Sequence, residues 1–400
     1  MRQELRTSLP SYNVWHRPRT SPRQPPATSR TRVMHLRVLF AQCRPVYPLF
    51  VGGSEISMHE SLTLLSQAGC TCLAVGHVGD REDDLATWLT DNSATLEVCH
   101  RPLKGLHSGK RIPIHAEVVI RGSYETRMTF LSGYWKYLAK VLHEFRPDIV
   151  LSQLHGSEQV LRAGLEVNAS VFHMVRDTSN PHNLIPFHSD IVSRDSFTAI
   201  ANSRYVQSQL QTQHGISSQV VYPSIDCARF NSVASSRGSA ILMFNPVPEK
   251  GESTIRYLIK HLPNEQFLLV EGWTPLEKSY WPFENVTIVR RTEDVTHLFR
   301  IAKILLVPSQ WPEAFGRVAA EAQAAGVPVL ASAQAGLRES VGHAYSLVEN
   351  YRSPAAWLST LETLLSNQAA LETVRSYGFE HSKKFDQAKH LASLLAVLSQ

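Results

Sequence analysis

Two glutamates, Glu313 and Glu321, stand with seven residues between them in the stretch PSQWPEAFGRVAAEAQAAGVPVLAS, Pro308 to Ser332. The run from Val318 to Ala325 reads as an Ala-rich helix, and the turn before it, WPEAFG, is stiff and apolar. A helix that opens here leaves the backbone N–H groups of Ala314, Phe315, Gly316 and Arg317 without helical partners. Such groups, with the positive end of the helix dipole, bind phosphate. Glu321, a turn into the helix, could accept two hydrogen bonds from a ribose diol, while Glu313 lies nearer whatever the phosphates carry. The same spacing fits a plain surface helix with Glu313 paired to Arg317 and Glu321 in solvent. Upstream, Lys250 follows an apolar strand in FNPVPEKG, and Gly52 and Gly53 open the helical stretch GGSEISMHESLTLLSQAG.

These residues need a scaffold, and the sequence provides alternating strands and helices. Strands are expected at 36–41, 71–76, 149–152, 170–175, 197–201 and 219–222, and a long helix at 126–145 that Pro147 stops. Apolar on both faces, these strands suit a parallel sheet covered by helices. The polar stretch NSVASSRGS (231–239) marks a boundary. Beyond it the alternation restarts with AILMFN, and Leu391, Leu394, Leu395 and Leu398 form the stripe of a last helix. The expected class is α/β with two doubly wound, Rossmann-like domains. Ligands of such sheets bind at the carboxyl ends of the strands, here in the cleft between the domains.

Together, Glu313, Phe315, Gly316, Glu321, Ala322, Gly326, Pro328 and Val329 resemble the E-x7-E signature of retaining, nucleotide-sugar-dependent glycosyltransferases of family 4, which have the GT-B fold. FNPVPEKG is similar to that family's donor-phosphate loop, GGSE to its first glycine loop, and AIANSRYVQSQL with VVYPSIDCARF to the segment closing its first domain. The resemblance runs from about Val38 to Ser340. It implies an acceptor-side domain at 34–230, a nucleotide-sugar-binding domain at 231–382 and a helix at 383–400 crossing back to the first domain. It further implies sugar transfer to a hydroxyl of a glycan, lipid or small molecule with retention, without metal or other cofactor. Glu313 and Lys250 take catalytic roles in this reading. The donor is bound by Gly53, Arg176, Asn245, Lys250, Glu313, Ala314, Phe315, Gly316 and Glu321, and Gly52, Gly53, Ser54 and His155 lie on the acceptor side. Two positions depart from the pattern. Asn245 stands where the family usually has arginine, and Arg176-Asp177 where many members have His-Asp. Arg176 could pair with a phosphate in compensation. The departures also leave open a degenerate homologue that binds nucleotide sugar, or a partner transferase, without turnover.

Composition narrows the remaining classes. The chain has 400 residues, 43% hydrophobic and 19% charged, and no apolar run long enough to span a bilayer. Much of the net charge of +5 comes from residues 1–33, where Arg2, Arg6, Arg17, Arg19, Arg23, Arg30 and Arg32 face the single acid Glu4. That segment reads as a disordered Arg/Pro/Ser-rich extension, with Met34 a candidate start. Without it the protein is near neutral, which argues against nucleic acid as a partner. Cys43, Cys70, Cys72, Cys99 and Cys227 show no metal-binding spacing and read as reduced thiols of a cytoplasmic protein. No G-x-G-x-x-G follows an early strand, which disfavours a dehydrogenase. His173 and His155 read more readily as packed than as catalytic. The basic loop HRPLKGLHSGKR (100–111) is either solvated or a contact for an anionic lipid surface, which would make the protein peripheral to a membrane.

Overall fold

Apolar runs that end in Gly, Pro or Asn loops become strands buried on both faces, and their order sets where the loops meet. The computed structural model describes residues 35–50, 52–78, 97–104, 113–188, 190–232, 238–272, 274–292 and 294–400. The first sheet contains β1 (Arg37–Ala41), β2 (Thr71–His77), β3 (Glu97–Lys104), β4 (Pro113–Arg121), β5 (Glu125–Thr129), β6 (Ile149–Ser152), β7 (Ser170–Val175), β8 (Phe197–Ala201) and β9 (Ser218–Val220). Its spatial order is β3-β4-β5-β2-β1-β6-β7-β8-β9. β1 pairs in parallel with β2 on one side (Val38 opposite Cys72) and β6 on the other (Val38 opposite Ile149), so the order reverses there. The second sheet contains β10 (Ala240–Phe244), β11 (Gln266–Val270), β12 (Val286–Val289), β13 (Ala302–Val307), β14 (Val329–Ser332) and β15 (Leu347–Val348). It is ordered β12-β11-β10-β13-β14-β15 and reverses between β10 and β13.

The helices that matter to the cleft are α1 (Gly53–Gln67), α2 (Tyr134–Phe145), α3 (Arg204–His214), α4 (Arg317–Ala324), α5 (Leu337–Val341) and α6 (Gln387–Leu398). The expected helix at 126–145 is corrected. Residues 125–129 are strand β5, parallel to β2 and antiparallel to β4, and the helix starts at Tyr134. Gly122 and Ser123 turn the chain between β4 and β5, and alternation buries Thr126 and Met128. The spacing of Met128, Leu131 and Trp135 belongs to no common face, since Leu131 and Trp135 are each 41% exposed. The helix ends as expected: Arg146 is left-handed (φ 48°) and Pro147 follows. The basic stretch also differs from expectation. Residues 100–104 lie in β3, antiparallel to β4, and 105–111 lie outside the described residues.

The chain passes to the second sheet ahead of the polar stretch, because Ile225 and Phe230 already pack with Leu242, Leu305 and Phe315. It returns through α6, whose Leu394, Val397 and Leu398 join Val38, Phe40, Met58 and Leu62 in the first core. His390 on α6 bridges the Ser61 hydroxyl (2.9 Å) and the Tyr222 carbonyl (2.6 Å). A second tie comes from Glu339 on α5. Its carboxylate accepts from the backbone N–H groups of Arg204 (2.9 Å) and Tyr205 (2.6 Å) and from the Tyr222 hydroxyl (3.0 Å). A side chain of the second domain thus caps α3 of the first. Among the described residues no helix is long and apolar enough to cross a membrane.

Two expectations follow. Glu339→Ala leaves two helix N–H groups and a phenol without their acceptor, which should cost about 1–2 kcal/mol. A melting temperature within about 1 °C of the parent would refute that role. Burial lowers His390, His59 and His173 to about 4, against roughly 6.5 in the unfolded chain. Between those values the unfolded chain binds protons the folded chain refuses, so stability present above pH 6.5 falls as pH drops toward 4. Thermal melts across that range should show the loss, with a shallower slope in His390→Gln; equal slopes would remove His390 from the account.

Candidate functional site

The reversal between β10 and β13 places their following loops side by side, and those loops carry Lys250 and Glu313. Gly251 makes the approach close. At φ 91°, an added Cβ there would lie 2.1 Å from the Pro308 carbonyl oxygen. The backbone N–H groups of Gln310 and Trp311 both donate to the Glu249 carbonyl, at 2.8 and 3.0 Å, and join the two loops. Lys250 Nζ then sits 2.5 Å from Glu313 Oε1, which also accepts from the Ser309 hydroxyl at 2.7 Å. A lysine and a carboxylate, each partly exposed, face the same cavity.

α4 begins directly after this pair. Gly316 is left-handed (φ 87°), and an added Cβ would meet Leu337 Cδ2 at 2.4 Å. Ala319, Ala320, Ala322 and Ala324 are buried, which is how the small residues of the stretch seat the helix on the sheet. The Phe315, Gly316 and Arg317 N–H groups have no acceptor among the described residues. Phe315 contributes only its backbone: its ring is 3% exposed and packs against Tyr222 and Phe385.

Arg317 decides between the two readings of the glutamates. It does not pair with Glu313. Its Nε donates to Glu321 at 2.6 Å, and its two terminal nitrogens reach the two carboxylate oxygens of Glu60 on α1 at 2.8 and 2.7 Å. One of them also reaches the Ser57 hydroxyl at 3.1 Å. The solvated Glu321 of the surface-helix alternative is therefore incorrect, because its side chain is 13% exposed. Burial pushes the Glu321 carboxyl up, against the pull of Arg317. Burial likewise opposes the charge on Arg317, yet Glu321 and Glu60 outweigh it and hold its pKa above the usual value.

Three cavities run along the cleft. One of ≈ 260 Å³ is lined by Gly52, Gly53, Asn245, Gly272, Glu60 and Glu321. A second of ≈ 220 Å³ contains Asn245, Lys250, Ser309, Glu313 and Gly316. The third, ≈ 330 Å³, contains Gly53, Ser54, Arg44, Arg176, Trp311 and Glu313 and also meets Ala314. Nothing lies within 4 Å of a Cβ added at Gly53, so the missing side chain opens onto the cleft. Asn245 is left-handed (φ 51°) and lies over Gly272, whose added Cβ would be 2.1 Å from Asn245 Oδ1. Arg176 lies in the third cavity and not with Lys250. His155 lines none of the three; it is exposed, and its ring is tilted against that of His182 with centroids 3.6 Å apart. His173 is buried and bonded to the Asn183 carbonyl at 2.8 Å. Two cavities are larger: one of ≈ 560 Å³ borders Ser170, at the amino end of β7, away from these loops, and one of ≈ 520 Å³ is lined by Tyr47, His59, Glu60, Arg229 and Asp294.

Sequence reasoning missed Arg44, Ser57, Glu60 and Ser309. A signal for two of them was present. Gly53, Ser57 and Glu60 fall at i, i+4 and i+7 on α1, a small and polar face opposite Met58, Leu62 and Leu65. Among the described residues no group of three or more His, Cys, Asp or Glu side chains could hold a metal ion.

Known proteins share these features in part. Residues 278–381, which contain both glutamates, match the family described as glycosyl transferases, group 1. The D-inositol 3-phosphate glycosyltransferase of Corynebacterium efficiens is 36% identical over 113 residues, 28% of this chain and 26% of that protein. The protein of the same name from Xylanimonas cellulosilytica is 29% identical over 173 residues, 38% of this chain and 39% of its own. The chain thus spans between about a quarter and two fifths of these relatives. Over the whole fold, Anabaena HepE, solved in complex with UDP and glucose, gives a TM-score of 0.67 at 18% identity, covering 92% of this chain and 100% of that one. Sucrose-phosphate synthase from Thermosynechococcus elongatus gives 0.67 at 16%, covering 91% and 98%. Residues 278–381 thus match the group 1 glycosyl transferases, and they sit in a chain whose two Rossmann-like domains share the GT-B architecture of these solved structures.

Proposed function

We propose that the protein is a retaining glycosyltransferase that moves a sugar from a nucleotide-sugar donor to a hydroxyl acceptor. The observation that carries the reading is the meeting of Lys250, Glu313 and the open N-terminus of α4 at the β10–β13 reversal. The donor's diphosphate would lie on the Phe315–Arg317 N–H groups with Lys250 beside it. Charge builds on the diphosphate as the sugar departs, and fixed donors that meet it lower the barrier. Glu313, released from Lys250 by the phosphate, would orient the sugar hydroxyls. Glu321 would take the ribose in the cavity that it shares with Gly52, Gly53 and Glu60. The reaction would proceed on one face of the sugar. The acceptor oxygen bonds to the anomeric carbon as the bond to the phosphate oxygen breaks. That phosphate oxygen takes the acceptor proton, and the nucleoside diphosphate leaves. No metal is required in this scheme, since Lys250 and the helix N-terminus carry the compensating charge.

A second reading, binding without turnover, draws on two observations: Arg317 already occupies Glu321, and Asn245 brings no charge to the diphosphate. A panel of nucleotide sugars separates the two. Slow release of nucleoside diphosphate from one donor supports the transferase, and Lys250→Ala should lower that rate about 100-fold or more. Tight donor binding with no release under any acceptor would establish the second reading instead. Contact of the 100–111 segment with membranes is a separate proposal. Liposome flotation should then rise with anionic lipid content, and flotation indifferent to it would dismiss the contact.

A further inference from the structure

Arg176 is 8% exposed and has only neutral partners: its Nε donates to the Gln153 side-chain oxygen at 3.2 Å, and one terminal nitrogen lies 3.8 Å from Met174 sulfur. It forms no salt bridge within 4 Å among the described residues; Glu55 and Glu60 act on it only from farther away, and Arg317 opposes them. A buried cation without an ion pair costs stability, and sites that keep one commonly use it on a ligand. Arg44 lines the same ≈ 330 Å³ cavity, with its Nε 3.5 Å from buried Glu55 and its guanidinium over the Phe50 ring. Other charges around this cavity are already engaged. Glu313 holds Lys250, Arg317 holds Glu60 and Glu321, and Asp177 accepts from the Ser179 N–H and hydroxyl. Trp311, 37% exposed on the cavity wall, offers a flat apolar face to a sugar ring.

The Lys250 cavity and the Arg176 cavity meet at Glu313, Gly316 and Arg317 but hold different cations. We propose that Arg176, with Arg44, binds a second anionic group, a phosphate or carboxylate carried by the acceptor, separate from the diphosphate of the donor. The assignment rests on the glycosyltransferase reading and gives it an acceptor class: a sugar or similar polyol bearing one anion. Arg176 is thereby a specificity residue, placed by the carboxyl end of β7 beside the transfer site.

The test is calorimetric titration of the full chain with glucose, glucose 6-phosphate and UDP, alone and in combination. The expected result is that glucose 6-phosphate binds the UDP-loaded protein about tenfold or more tighter than glucose does. Arg176→Gln should remove that preference and leave UDP affinity within about twofold. Equal affinity for the two sugars would overturn the proposal. So would mutual exclusion of UDP and glucose 6-phosphate, or loss of UDP binding in Arg176→Gln, since Arg176 would then serve the donor's diphosphate. Selective loss of UDP-glucuronate over UDP-glucose in that variant would move the anion to the transferred sugar and overturn the acceptor assignment. Phosphate-selective, Arg176-dependent binding in a protein that takes no nucleoside diphosphate would sink the transferase reading alone. Removal of an unpaired buried cation should hold or raise the melting temperature. If Arg176→Gln instead melts more than about 5 °C lower, partly exposed Arg44→Gln carries the same comparison, and unchanged phosphate preference there refutes the site.

Discussion

The cleft depends on one guanidinium. Arg317 sits at the first turn of α4 and is gripped by Glu321 on its own helix and by Glu60 from the facing domain. Isolated surface ion pairs contribute little, but these three groups are largely out of water, and removing one partner would strand a buried charge. The triad fixes how far α1 stands from α4, and therefore the width of the cavities on either side of it. It also means that any hydroxyl reaching Glu321 must compete with, or join, an existing hydrogen bond.

Around that triad the backbone is constrained by crowding as well as by hydrogen bonds. Gly251 and Gly316 both have positive φ and no room for a side chain. Gly336 is held against the Ala314 carbonyl, with an added Cβ only 2.1 Å away. Larger residues at these points would push apart the loops that hold Lys250, Glu313 and the open N–H groups. Glycine is used here because two backbones must touch. The first domain meets this edge with Glu339 capping its helix and His390 docking the returning one, so the domains share polar as well as apolar contacts.

Much of this was legible in the residues themselves. Alternation of apolar runs and helical stripes gave the two doubly wound domains, because parallel strands buried on both faces need little tertiary information to recognise. The helix start after WPEAFG was readable from Gly316 and the Ala run. The 126–145 stretch was misread because Met128 and Leu131 satisfy a helical spacing by coincidence, while the pairing of β5 with β2 and β4 is non-local and left no periodic mark. The Arg317–Glu60 contact was hidden for the same reason: the partners are far apart in sequence. The i,i+4 rule allowed Arg317 either glutamate, and only tertiary packing chose Glu321.

Asn245 carries a consequence for how the site could change. Its left-handed backbone suits asparagine better than arginine by roughly 1 kcal/mol or less, and its side chain occupies the space over Gly272. The residue and its conformation are therefore one character, coupled to a glycine 27 positions later. An arginine in its place would have to accept the same backbone conformation and find room beside Gly272. Exchange at position 245 is thus governed by two local conditions, tolerance of a positive φ and room over Gly272, before charge enters at all.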